Sequence, residues 1–277
     1  MELFAARARR NLVRALQKDV RLMLPADPGP ERMLEYVRLY NPDARLAGHG
    51  AIRADSLVEV YLSGASVIDP DVAAEAGVPA GTGVAFFAQN AEHGQPFSWS
   101  DSQRVAKEAR DIAGRLVNGL AIRAGGIAWP ATPALGRPLE ARVYTWRGHP
   151  SPQDARDLIA RYAPGLAPDP NVTLASLDVS AWQTEDGRFR AELYPLGHVP
   201  LLDPPAPQAI GDMFYHREQL SAVLLQLSVP ASQADPGEAR LLGRCALELA
   251  SAVGGLCTDQ LGFRVLHPDD IVFAGRA

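Results

Sequence analysis

Two stretches of this chain share one pattern, and that pattern restricts the fold more than anything else in the sequence. Ser100–Ile127 (SDSQRVAKEARDIAGRLVNGLAIRAGGI) spaces Val105, Ala109, Ile112, Ala113, Leu116, Leu120 and Ala121 by threes and fours, which puts them on one helix face. Asp235–Leu256 (DPGEARLLGRCALELASAVGGL) does the same with Leu242, Cys245, Ala246, Leu249, Ala250 and Val253. Superposed on the shared Gly-Gly, Arg115 falls on Arg244, Leu120 on Leu249, Ala121 on Ala250 and Ile127 on Leu256. In each copy a glycine supplies the left-handed residue that ends a helix and turns the chain back onto a sheet. Ser100-x-x-Gln103 and Asp235-x-x-Glu238 read as capping-box starts, the second with Pro236 at the first helical position.

A second pair of elements repeats further upstream. DVRLMLP alternates like a strand at Val20, Leu22 and Leu24 and leads into ERMLEYVRLYNP, a helix stopped by Pro42. ARVYTW leads in the same way into SPQDARDLIARYAP, where Ser151 caps the helix and Pro152 occupies its first position. Leu158, Ile159, Tyr162 and Pro164 take the places of Tyr36, Val37, Tyr40 and Pro42, at an offset of 122 residues. Strands are expected next, near Ser56–Leu62 in the first half and as a hairpin tipped by Asp186-Gly187 in the second. Near-continuous apolar runs at Val84–Asn90 and Ala222–Val229 read as central strands, and IAW (127–129) and FRVL (263–266) as closing ones.

The expected fold class is therefore α+β: two tandem, internally duplicated halves, each a ferredoxin-like α/β sandwich with its helices on one face of a largely antiparallel sheet. The expected boundaries are a short basic helix at 1–18, a first repeat at 19–130, a linker at 131–138 and a second repeat at 139–277.

Composition narrows the function classes. A net charge of −5 gives the whole molecule no attraction to nucleic acid or anionic lipid. Residues 1–18 are the exception, with a local charge of +4, so Arg7, Arg9, Arg10 and Arg14 are the residues expected to meet an acidic partner. No apolar run approaches the roughly 18 residues of a membrane span, and no secretory leader is recognisable, so the expected location is the cytoplasm. Arginine outnumbers lysine 25 to 2, the bias of a GC-rich bacterial coding sequence. Two cysteines, Cys245 on the helix stripe and Cys257 beyond its stop, are too few for a structural zinc site and read as buried thiols.

The chemistry on offer is sparse. Six histidines are scattered without metal-ligand spacing, and neither a cofactor nor a metal is expected. Glu92 and His93 follow the central strand of the first half, and His216 and Glu218 precede that of the second; a histidine beside a glutamate is the pattern of an acid–base pair. Trp129 and Trp146 flank the linker, where they suit packing or a cleft lining. The Gly-rich AGVPAGTGV at Ala76–Val84 enters a strand and not a helix, so it is a turn and not a phosphate loop. With the EHGQP that follows, it resembles the glycine-threonine hairpins in effector-binding domains of GntR-type transcription regulators. That likeness covers about twenty residues and no winged-helix segment precedes it, so no ligand residue is carried over. The expected function is non-catalytic binding of a protein or small ligand. The alternative is an enzyme whose acid–base site, from Glu92, His93, His216 or Glu218, lies in a cleft between the halves.

Overall fold

The computed structural model describes residues 2–18, 20–54, 60–90, 99–130, 138–145, 149–169, 179–197, 219–230 and 233–271. The chain divides into two compact units, 1–134 and 135–277, and each is α+β with an antiparallel sheet.

The first unit opens with α1 (Glu2–Lys18), β1 (Arg21–Leu24) and α2 (Pro30–Tyr40). Short strands β2 (Arg45–Leu46), β3 (Ile52–Arg53), β4 (Val60–Leu62) and β5 (Ser66–Val67) follow, then α3 (Pro70–Ala76). The unit closes with β6 (Val84–Asn90), α4 (Trp99–Ala124) and β7 (Ile127–Trp129). Its strands lie in the order β2-β3-β4-β6-β1-β7, with β5 also paired to β6. Leu22 sits opposite Phe86 and Leu24 opposite Val84, on the face where α4 packs beside α2. Met23 and Ala85 point the other way, into a cluster with Val13 and Leu16 of α1 and Val72, Ala73 and Ala76 of α3.

Helices therefore cover both faces of this sheet, which corrects the expectation of one covered face. The strands explain it. Every residue of β1 is buried, so both sides of the pleat need apolar cover. Helix α3, which apolar periodicity does not single out, is held by local signals. The Asp69 side chain accepts from the Asp71 amide at 2.8 Å, Pro70 starts the helix, and Gly77 ends it at φ 72°. Helix α4 begins at Trp99, so Ser100 lies inside it and not at its cap. The AGVPAGTGV segment does form a turn into β6, with Thr82 Oγ1 donating to Pro79 O at 3.1 Å.

The second unit runs β8 (Pro138–Thr145), α5 (Pro152–Ala160), β9 (Ala167–Pro168), β10 (Ser180–Gln183) and β11 (Phe189–Tyr194). It ends with β12 (Ser221–Pro230), α6 (Pro236–Ala252) and β13 (Leu256–Asp259). The closing strand is thus LCTD and not FRVL. Residues 263–265 instead fold back along β13, through Asp259 N to Phe263 O at 2.9 Å and Val265 N to Cys257 O at 3.0 Å. Helices α5 and α6 share one sheet face, burying Ile159, Leu242, Cys245, Ala246 and Leu249 against Val143, Val223, Leu225 and Ala191.

Apart from β5, the strands of the two sheets correspond. The second has the order β13-β8-β12-β11-β10-β9, the same sequence of connections as β7-β1-β6-β4-β3-β2. Register matches as well: Arg21 faces Phe87 and Trp129, and Arg142 faces Leu224 and Thr258. Ile52 faces Leu62, as Trp182 faces Ala191. The Gly-Gly pairs occupy equivalent places. Gly125 and Gly254 take φ of 69° and 60°, the left-handed helix stop. A Cβ on Gly126 would lie 2.2 Å from Met23 O, and one on Gly255 would lie 2.3 Å from Tyr144 O. Only the first glycine of each pair is needed for its backbone angle; the second is needed because a strand carbonyl occupies its side-chain space.

The turn after β13 depends on one buried carboxylate. Asp259 is 1% exposed, and its Oδ1 accepts from the amides of Leu261 and Phe263, both at 2.9 Å. Asp259→Ala leaves those buried donors without their acceptor and is expected to cost about 2–3 kcal/mol. A lower urea midpoint, with faster amide exchange across 257–265, checks this.

Candidate functional site

The acid–base candidates Glu92, His93, His216 and Glu218 lie outside the described residues, as does Trp146. The arginines of α1 can be placed. Arg7, Arg9, Arg10 and Arg14 are all exposed. Arg9 is already engaged inside its own unit: its Nε meets Glu75 at 2.8 Å and its Nη2 donates to Asp71 O at 3.3 Å, both on α3. The bond to Glu75 and its charge raise the Arg9 guanidinium above its ordinary value. Trp129 packs against the α1–α3 cluster.

A concave site built from described residues belongs to the second unit. It is an open groove of about 580 Å³ walled by the α5–β9 turn, the β10–β11 tip and the first turns of α6. Its floor is apolar, built from Ala163, Phe189, Leu227 and Leu242, each 9% exposed or less. Tyr162 and Leu241 line the sides, and Leu241 is 42% exposed. An aliphatic side chain left open to water beside an apolar floor is a ready anchor for a ligand.

Local sequence shapes each wall. Pro164 cannot continue α5, and Gly165 turns the chain at φ 83°. At the hairpin tip Thr184 N bonds Phe189 O at 3.0 Å, and Asp186 Oδ1 accepts from Thr184 Oγ1 at 2.6 Å and from the Arg188 amide at 3.0 Å. Those bonds, the Thr184 one foremost, hold the Asp186 carboxyl below its usual range. On the facing wall Asp235 caps α6 by accepting from Gly237 and Glu238 amides at 2.8 and 3.2 Å. That cap sets Glu238 in the first turn, where the helix dipole favours a negative charge.

The groove charges divide into a pair and a remainder. Arg188 Nη2 reaches Glu238 Oε1 at 2.7 Å and Oε2 at 2.8 Å, tying the hairpin to the helix. Glu185 and Asp186 are the other charged residues of the lining, both exposed and both acidic. Just outside, Glu248 accepts from Tyr162 Oη and from Arg161 Nη1 at 2.8 Å, which fixes the end of α5 on α6.

A second polar cluster occupies the sheet face of this unit opposite α5 and α6. Glu140 pairs with Arg142 and Arg190 with Glu192, each at 2.8 Å, while Tyr194 donates to Glu192. Tyr144 sits on the same face, 1% exposed, and burial pushes its phenol up to about 12, with Arg142 pulling against it. Each of these pairs joins residues two apart on one strand, which the pleat sets on the same face, and Gln226 Nε2 on β12 donates across to Glu140 Oε1 at 3.4 Å. A smaller hollow of about 340 Å³ lies beside Arg156, Asp169 and Trp182. Among the described residues no group of three or more His, Cys, Asp or Glu could hold a metal, and no helix is long and apolar enough to cross a membrane.

Sequence reasoning placed the Asp186-Gly187 tip but not the groove. The available signal was Leu241, an apolar residue standing off the buried stripe of α6. No family model, no curated protein and no solved structure matches the chain.

Proposed function

We propose that this is a non-catalytic binding protein made of two duplicated ferredoxin-like halves, with its ligand site in the groove of the second half. Duplication is supported by the shared strand order and register, and by arginine at equivalent, 7%-exposed positions Arg21 and Arg142. Without the outer strands β9 and β10, the order β13-β8-β12-β11 with a helix after β8 and after β12 is that of a ferredoxin-like unit. The two free, buried thiols fit a reducing, cytoplasmic setting.

The observation that carries the binding role is a difference between equivalent tyrosines. Tyr40 of α2 is fully buried, whereas Tyr162, its counterpart in the repeat, lines the groove beside exposed Leu241. After duplication, one copy kept a closed core at this point and the other opened a concave surface. Binding at a pre-formed groove of this size needs no movement of the sheet.

The test is hydrogen exchange of the full chain against a panel of short peptides and small metabolites. Ligands that bind are expected to slow exchange in 162–165, 184–189 and 238–242, and to lose affinity with Leu241→Asp. Binding that protects other segments and ignores Leu241→Asp would refute the reading.

A further inference from the structure

We infer that the groove of the second unit takes a basic peptide segment of a partner protein, an aliphatic side chain of which rests on the floor while an arginine or lysine meets the hairpin tip. The inference rests on the binding role assigned to this groove and adds the chemistry of what fills it. The argument is charge complementarity. Of the four charged residues in the lining, Arg188 and Glu238 neutralise each other at 2.7 Å, which leaves Glu185 and Asp186 to set the sign of the groove. Asp186 spends Oδ1 on Thr184 and the Arg188 amide, so Oδ2 remains to accept from an incoming donor. The bonds that anchor this carboxylate also keep it ionised across the physiological range.

The apolar part selects shape. Phe189, Leu227 and Leu242 form the base and Leu241 one side, room enough for a leucine-sized side chain with backbone on either side. A peptide combining one aliphatic anchor with neighbouring cations therefore satisfies both the floor and the tip. An acidic peptide of the same shape would place carboxylates against Glu185 and Asp186 and be rejected by repulsion.

The experiment uses the full-length protein and two fluorescein-labelled peptides, each with a central leucine, one flanked by arginines and the other by glutamates. The arginine peptide is expected to bind about tenfold or more tightly than the glutamate peptide, to weaken as salt rises, and to protect 184–189 from exchange. The double substitution Glu185→Gln and Asp186→Asn keeps the turn, since an Asn-Gly tip makes the same hairpin, and is expected to remove the preference. If both peptides bind equally, and both are lost with Leu241→Asp, the cationic specificity is wrong while the groove remains a binding site. If neither protects the groove at any concentration that saturates another site, the inference fails together with the role it rests on.

Discussion

Gly255→Ala is expected to unfold much of the second unit's sheet edge, lowering stability by roughly 3 kcal/mol or more. The added Cβ would sit 2.3 Å from Tyr144 O and 3.2 Å from Val253 Cγ2. The backbone carbonyl cannot yield cheaply. The carbonyl belongs to a central strand, β8, held on one side by β12 and on the other by β13. Relief therefore requires β13 to move off β8, which breaks the ladder from Leu256 to Asp259. Gly126→Ala should behave alike in the first unit, where the new methyl meets Met23 O at 2.2 Å and Leu24 Cδ2 at 2.3 Å. Gly254→Ala is the control: nothing lies within 4 Å of its Cβ, so its cost is confined to the left-handed backbone, about 1 kcal/mol. Hydrogen exchange resolves the two units, and the expected pattern is fast exchange in 138–145 and 256–259 for Gly255→Ala only. Equal effects of the two alanines would refute the steric account.

The second large effect is a loss of stability in alkali, centred on the second unit. Burial pushes the Cys245 thiol from 9.0 up to about 12, and pushes Cys257 higher still, with Asp259 adding to it. Tyr144 rises from 10.0 to about 12 by burial. All three hold their protons in the folded chain at a pH where the unfolded chain releases them. Each raised value therefore contributes stability that is complete below its unfolded pKa and is lost as pH climbs toward the folded one. The slope is about 1.4 kcal/mol per pH unit per group. By about pH 11 the two thiols and the tyrosine together remove on the order of 7 kcal/mol, comparable to the whole stability of a domain. Urea midpoints are thus expected to fall steeply above about pH 9, and the double substitution Cys245→Ala and Cys257→Ala to flatten the first part of that fall. A midpoint constant between about pH 9 and 11 would contradict it. In neutral solution the same burial predicts thiols that resist alkylation until the chain is unfolded.

Much of the local structure around these residues was legible in the sequence. Asp235, Pro236, Ser151 and Pro152 start helices where their types say they should, because a cap is a contact between residues two or three apart. The apolar stripes of α4 and α6 follow from the helical period, and the Gly-Gly stops from the left-handed residue. Helix α3 carried the same kind of signal in Asp69, Pro70 and Gly77, but at seven residues it is too short for periodicity to announce it.

The sequence by itself determined the long helices with their apolar faces and the main strands, since these depend on residues within a turn or two of one another. Tertiary structure decided the rest. Whether a strand is covered on one face or both depends on which helix returns to it, as α1 and α3 return to Met23 and Ala85. The groove needs Tyr162, Arg188, Glu238 and Leu241, which span 80 positions of the chain and meet only because β11 and β12 carry the hairpin tip to the start of α6. Long-range juxtaposition of this kind leaves no period in the sequence. The second glycine of each Gly-Gly makes the point at a single residue: the strand carbonyl that forbids its side chain lies more than 100 residues away in chain order.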